Sequence, residues 1–214
     1  MNAAKVVKLD VLTVRPYFTL KNLLVFLGLG FFYALICKNG FMMLVVAEIC
    51  ALLFSGYPFM VGENAGIDPL YRLFGISAKD VVKGRYAVAI LFTGTMLVIG
   101  TALYWLTALI YPLENLDHSL LLIGLPMFFI VSLIVFLEYP FYFKLGYFKG
   151  KNLASIPYYI ICVVILFGTG HLQEITAFLS AHAYWIVLSL LGLWLAVLFF
   201  SYRLSLRFYL RRDF

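Results

Sequence analysis

Charge is what this sequence has least of. Only 12% of its 214 residues are charged and 64% are hydrophobic, whereas an ordinary soluble domain carries about 25% charged residues. Ten acidic and sixteen basic side chains cannot cover a soluble fold of this size. With a mean hydropathy of +1.02, the composition excludes a soluble globular domain, a disordered chain and a basic nucleic-acid binder. The formal net charge of +6 is read as membrane topology. Cysteine is also scarce. Cys37, Cys50 and Cys162 lie in or at the ends of apolar runs, with neither metal-site spacing nor a disulfide framework. There is no Gly-x-Ser-Gly nucleophile, no His-Glu-x-x-His pair and no paired intramembrane carboxylates, so neither catalytic residues nor a metal site are expected. A cleavable signal peptide is not expected either, since the first long apolar run follows Lys21 without a small-residue cleavage pattern.

What the sequence has is apolar length. A spanning helix needs about 20 mostly apolar residues, because roughly 30 Å of hydrocarbon is crossed at about 1.5 Å per residue. Six runs qualify as expected spans: Asn22 to Cys37, Phe41 to Met60, Tyr86 to Tyr111, Leu120 to Leu137, Ile156 to Gly170, and Ala183 to Tyr202. All must be helical, since isolated strands leave their backbone unsatisfied in lipid. The fold class is therefore an all-α membrane protein, a single transmembrane domain over residues 1–214. Lys5, Lys8, Arg15 and Lys21 precede the first span. Arg72, Lys79, Lys83 and Arg85 lie between the second and third, and Lys144, Lys149 and Lys151 between the fourth and fifth. Arg203, Arg207, Arg211 and Arg212 follow the sixth, so only Lys38 of the basic residues falls on the other side. The positive-inside rule then places both termini in the cytoplasm. The opposite loops carry Glu114, Asp117, Glu174 and all three histidines, His118, His171 and His182, with no helical metal-ligand spacing. The fifth span is short, and residues 171–182 after it read either as a re-entrant segment or as a plain loop.

Two cytoplasmic stretches stand out. Residues 4–20 form a basic amphipathic segment. Lys5, Lys8, Arg15 and Thr19 lie near one face and Val7, Val11, Val14 and Phe18 on another, with Pro16 expected to kink or end the helix. The loop at 61–85 is the longest connection on this side. Asp68-Pro69 predicts an N-cap and a first helical turn, Gly75 the end of that short helix, and Ser77 to Asp80 a capping box opening the next. Leu73, Phe74 and Ile76 would form an apolar corner between the two helices. It reads as a docking surface or as a corner resting on the membrane.

Several residues inside the spans invite a role. Glu48 sits mid-span, where a charge costs roughly 3 kcal/mol or more. It reads either as a pathway carboxylate or as a helix-holding group bonded to Thr93, Thr95 or Tyr33. Glu138 is expected to pair with Lys144 or Lys149. Gly28, Gly30 and Gly94 are small residues suited to close helix packing. Tyr104, Trp105, Tyr139 and Tyr142 are among the aromatics expected in interfacial belts.

The stretch Asp68-Pro-Leu-Tyr-Arg-Leu-Phe-Gly-Ile-Ser-Ala-Lys-Asp-Val-Val-Lys-Gly-Arg-Tyr86 resembles the cytoplasmic loop of bacterial ABC-2-type transporter permeases. Phe74-Gly75 stands where that family has Leu-Pro, and Ala78 where it has Arg. Tyr139-Pro-Phe-Tyr-Phe-Lys-Leu-Gly-Tyr147 is similar to the family's segment after the fourth span, and the resemblance covers nearly the whole chain. It implies an exporter subunit in the bacterial plasma membrane, amid its lipids, paired with a second permease copy, identical or related, and with two copies of an ABC ATPase subunit. ATP and Mg would be bound by that ATPase, with no cofactor on this chain. In agreement, the only Gly-Lys pair, Gly150-Lys151, is followed by Asn152 and has Leu145 where a P-loop needs glycine. The resemblance further implies a coupling helix between spans two and three, with Asp68, Tyr71, Arg72, Leu73, Phe74, Ser77, Lys79 and Asp80 meeting the ATPase. It makes Glu48, Phe26, Phe31, Tyr33, Phe54 and Tyr57 pathway candidates. The substrate class it suggests is an amphipathic, antimicrobial or toxin peptide, as in phenol-soluble modulin exporters. A secondary transporter or channel using Glu48, or a membrane-embedded enzyme, are the alternative readings.

Overall fold

Pro16 determines how the chain enters its first apolar helix. Its ring nitrogen cannot donate to a helical carbonyl. In the computed structural model, which describes residues 2–37, 40–110, 119–160 and 183–212, helix α1 (Asn2–Val14) gives way to a 3-10 turn at Arg15–Tyr17. Helix α2 (Leu20–Cys37) then starts with the Asn22 N–H donating to Thr19 Oγ1 at 3.2 Å and the Asn22 side-chain amide donating to the Tyr17 carbonyl at 2.7 Å. The two helices meet at a bend of 78°. The amphipathic segment expected at 4–20 is thus α1 and its 3-10 turn.

Helix α3 (Phe41–Ser55) breaks at Gly56 and resumes as α4 (Tyr57–Asn64), because Pro58 lies in the first turn of α4. Helix α5 (Ile67–Leu73) follows, and α6 (Ala78–Ile110) is the longest element described. The connection expected over 61–85 is therefore mostly helical. The valine face that opens α6, Val81 and Val82, is fully buried, so the helix starts well before the apolar run at Tyr86. Next come α7 (Ser119–Leu145), α8 (Tyr147–Ala154) and α9 (Ala183–Arg211). Among the described residues, four helical stretches are long and apolar enough to cross a membrane: Phe41–Asn64, Ala78–Thr107, Gly124–Leu145 and Tyr184–Arg211. The bent α1–α2 pair makes a fifth if it counts as one span. The expected span at 22–37 corresponds to α2. Of the span expected at 156–170, only the helical residues 156–160 fall within the described part. The segment 171–182 and the three histidines lie outside it.

The chain forms two compact units divided within α7, one up to Ser132 and the other from Leu133. In the first, α3 lies along α6. Ala47, Ala51 and Met96 form a buried cluster, and a Cβ on Gly100 would come within 2.8 Å of the Ala47 Cβ and 3.1 Å of the Leu44 Cα. Close backbone approach of this kind is how helices associate where lipid removes the hydrophobic drive between them. A Cβ on Gly30 would meet only the flexible end of the Met43 side chain, and Gly28 and Gly94 have no atom within 4 Å of such a Cβ. In the second unit Phe136 stacks on Trp194 at 5.4 Å, Phe143 on Tyr209 at 5.6 Å, and the Ser201 hydroxyl donates to the Phe136 carbonyl. Tyr139 and Tyr142 are buried here, as Tyr104 is in the first unit, so these three side chains pack against protein.

The crossing at Gly100 has no space for a methyl group. Gly100→Ala should destabilise the solubilised protein by about 1–3 kcal/mol, while Gly28→Ala should be neutral or stabilising. Thermal midpoints of the two variants check this, and equal midpoints would show that the crossing gives way freely.

Candidate functional site

The short helix α5 has two chemically different faces. Gly66, at φ +61°, turns the chain into it, and no side chain caps its start. Asp68, expected as the N-cap, sits instead in the first turn, because its carboxylate is engaged elsewhere. The C-terminal end is a Schellman closure. The Ile76 N–H donates to the Tyr71 carbonyl at 2.9 Å and the Gly75 N–H to the Arg72 carbonyl at 3.0 Å, with Gly75 at φ +68°. Glycine adopts that conformation without a Cβ penalty. One face of α5 is bare: Leu73 is 79% and Phe74 73% exposed. Arg72 and Lys79 are exposed beside them. Ser77 caps α6, accepting from the Asp80 N–H at 3.1 Å and donating to Asp80 Oδ2 at 2.9 Å.

The other face carries Asp68 and Tyr71, three residues apart and buried. They meet Arg85 of α6, a guanidinium only 1% exposed. Arg85 Nη2 donates to Asp68 Oδ1 at 2.6 Å, and Arg85 Nε stands 3.9 Å from Asp10 Oδ2 on α1. The Tyr71 hydroxyl donates to Asp10 Oδ1 at 3.0 Å. Phe59 of α4 lies under the guanidinium, 4.4 Å from ring centroid to Cζ. Gly62 leaves room for Arg85: a Cβ there would sit 2.9 Å from Nη2. Four helices thus converge on one cation. Two buried carboxylates against one guanidinium leave an excess negative charge, which is costly to desolvate. Burial accordingly pushes the Asp10 carboxyl up to about 6, against the opposing pull of Arg85 and the Tyr71 hydrogen bond. Burial also raises the Tyr71 phenol, and the nearby Asp10 adds to this.

Asp10 and Arg85 were not among the sequence-derived site residues. Asp10 is the one acid in a basic amphipathic helix, and Arg85 interrupts the buried stripe Val81, Val82, Val88 and Ala89. Both signals were present, but neither names its partner.

The pathway candidates are dispersed. Phe26 and Phe54 line a cavity of about 320 Å³ together with Phe18, Asn22, Met96 and Ile99. Tyr57 stacks on Phe54 at 5.4 Å and on Tyr17 at 5.3 Å. Phe31 and Tyr33 do not line that cavity, and Tyr33 is 48% exposed. Glu48 is fully buried, and neither of its oxygens makes a hydrogen bond with a described residue. The partners expected for it are occupied or turned away. Thr93 bonds the Ala89 and Ile90 carbonyls, and Thr95 bonds that of Leu91. Glu138 is not an interfacial ion pair: it is 5% exposed and accepts from the Tyr142 hydroxyl at 3.3 Å. Helical phase explains this correction. Tyr142 is four residues on and shares the face of Glu138, whereas Lys144, six on, points elsewhere and lies over Phe208 at 5.2 Å.

Comparison with protein families finds that the family described as ABC-2 family transporter protein matches residues 5–210. No curated protein and no solved structure matches the chain.

Asp10 gives a pH signature. Its folded-state value is raised above the ordinary aspartate range, so its contribution to stability is full below about 4 and is lost as pH rises through about 6. Asp10→Asn should therefore be more stable than the parent at pH 7.5, by roughly 3 kcal/mol at most, with the difference vanishing near pH 4. Thermal midpoints across this range are the check, and a less stable variant at pH 7.5 would contradict the assignment.

Proposed function

Because the chain belongs to the ABC-2 transporter family, membrane components that work with an ABC ATPase, we propose that it is the pathway-forming permease of an ATP-driven exporter and that α5 is its coupling helix. The observation that carries this reading is the two-faced build of α5. Leu73 and Phe74 present bare apolar surface at a rigidly closed helix end, flanked by charge. Large exposed apolar side chains rimmed by polar ones are the usual form of a protein contact. The docking face comprises Arg72, Leu73, Phe74, Ser77, Lys79 and Asp80, while Asp68 and Tyr71 hold the helix from behind. ATP and Mg belong to the ATPase, and two permease copies, identical or related, enclose one pathway. Both termini lie in the cytoplasm of a bacterial cell. The aromatic cavity bordered by Phe26 and Phe54 suits an amphipathic substrate such as a toxin or antimicrobial peptide. Glu48, Tyr57, Phe31 and Tyr33 complete the set of pathway candidates.

Docking is tested with Phe74→Ala and Arg72→Glu together. A lost apolar anchor of about 2 kcal/mol corresponds to roughly 30-fold weaker binding, so the ATPase should dissociate on purification while the permease still expresses and inserts. An undiminished complex would make α5 a surface connector only. Orientation is tested separately by labelling Ser77→Cys and Asn152→Cys, expected from the cytoplasm alone, and Asp117→Cys, expected from outside alone. Cytoplasmic labelling of position 117 would refute the six-span topology.

A further inference from the structure

We propose that the C-terminal end of α9 is a binding site for an anionic phospholipid, whose phosphate is held by Arg203 and Arg207 and whose acyl chain lies along Phe199, Phe200 and Leu204. These residues and Arg211 border a groove of about 700 Å³ on the side of the helix. Phe199, Arg203, Arg207 and Arg211 recur at every fourth position, so they share one face of α9. The opposite face carries Ser201, Ser205 and Tyr209, all buried. It is held to α7, with the Ser201 hydroxyl donating to the Phe136 carbonyl and Tyr209 stacked on Phe143. The three arginines therefore point away from α7. All three are exposed, as are Phe199 and Phe200.

The length of α9 sets the depth of this groove. Its apolar stretch starts at the exposed aromatic pair Tyr184 and Trp185. At about 1.5 Å per residue, roughly 30 Å of hydrocarbon is crossed about 20 residues later, which is near Leu204. Arg203 then stands at the hydrocarbon boundary, and Arg207 one turn beyond it, at the level of the phosphates. Side chains on a helix lean toward its N-terminus, which here means back toward the hydrocarbon. The Arg203 guanidinium does so, lying 5.0 Å from the centroid of the Phe199 ring. A cation at that depth needs an anionic oxygen beside it. Among the described residues, Arg203, Arg207 and Arg211 have no ion pair, and the sequence has no acid between Glu174 and Asp213.

A basic helix end also suits the helix dipole and the orientation of the span. Neither requires the charges to share a face with exposed aromatic rings, and neither requires arginine. Between the fourth and fifth expected spans the basic residues are all lysine, Lys144, Lys149 and Lys151, whereas those on α9 are all arginine. The planar fork of arginine matches two phosphate oxygens at once. A basic cluster where a span leaves the hydrocarbon is the arrangement that recognises anionic headgroups.

The test uses the full-length chain purified in detergent, with phosphatidylglycerol and phosphatidylcholine of the same acyl chains as probes. Native mass spectrometry reads the bound lipid, and the thermal midpoint reads its effect. The parent should retain phosphatidylglycerol at least about tenfold more tightly than phosphatidylcholine, and only phosphatidylglycerol should raise its midpoint. In Arg203→Gln combined with Arg207→Gln, that preference should fall to about twofold or less. Lys149→Gln combined with Lys151→Gln removes the same charge from α8 and should keep the preference. Inorganic phosphate and glycerophosphoglycerol, the headgroup without its chains, should leave the parent's midpoint unchanged. The proposal is overturned if the parent holds both lipids alike, or if the arginine variant keeps the parent's preference. It is also overturned if the lysine variant loses as much, or if free phosphate protects as well as the lipid does. An arginine variant that keeps its lipid but no longer purifies with the ATPase would make the groove a protein contact and likewise end the lipid assignment. Comparing the two lipids on the parent needs no substitution, so a variant that fails to fold does not spare the proposal. Loss of the docking reading for α5 would leave the lipid measurement on α9 unaffected.

Discussion

Arg85 is a buried cation held between two carboxylates from two other helices, and the arrangement of the first unit depends on it. A guanidinium has five donors in a fixed planar fork. Lysine would offer a point charge and could not place Nη2 on Asp68 and Nε toward Asp10 at once. Removing water from three charged groups is expensive, and the attraction among them returns that cost only when the geometry is good. Such a cluster is therefore weak evidence for stability. It bears more on specificity, since its contacts tie α1 and α5 to the same side chain of α6. The Phe59 ring beneath the guanidinium and the absence of a side chain at Gly62 both serve that placement.

The placement also explains why α5 can expose so much apolar surface. Leu73 and Phe74 gain nothing for folding where they are. The helix that carries them stays formed because the opposite face is tied down by Asp68 and Tyr71 and because its end is closed by Gly75. Anchoring and presentation are thus assigned to different residues of one short element. A free seven-residue helix would not persist in water, since nucleation is unfavourable and isolated helices shorter than about 12 residues are marginal. Without the buried face, the corner at Phe74 would have no fixed direction.

Features encoded by near neighbours were legible in the sequence. Apolar length marked most of the helices, Pro16 marked the bend after α1, Gly75 the end of α5, and Ser77 with Asp80 the start of α6. Each works through residues within one or two turns. The Arg85 cluster joins positions 10, 68, 71 and 85, and nothing in local spacing relates the first of these to the others. Asp68 shows the consequence: beside Pro69 it reads as an N-cap, but a long-range guanidinium claims its carboxylate. Glu138 is a different case. Its partner Tyr142 lies four residues away on the same helical face, a pairing that helix geometry alone contains. For Glu48 the sequence named three hydroxyl partners by proximity of span. Two of those hydroxyls are instead satisfied by carbonyls of their own helix, which threonine reaches more cheaply than a neighbouring chain.

The bilayer sets what can count as a signal in this fold. Helix α9 buries only 6% of its most apolar window, and in water that would mark a missing partner. In lipid it does not, because hydrocarbon covers an apolar face as well as protein does. Apolar exposure within the spans therefore says little about function. The informative exceptions are a polar group inside the hydrocarbon and an apolar group outside it. Glu48 is the first kind, enclosed in α3 without a hydrogen-bonding partner among the described residues. Phe74 is the second kind, bare beyond the end of an apolar span. Arg85 combines the two constraints. It lies close enough to the apolar core to require burial, and its charge is kept there by carboxylates from the two helices outside the main spans. That joins the amphipathic N-terminal helix to the element presenting Phe74.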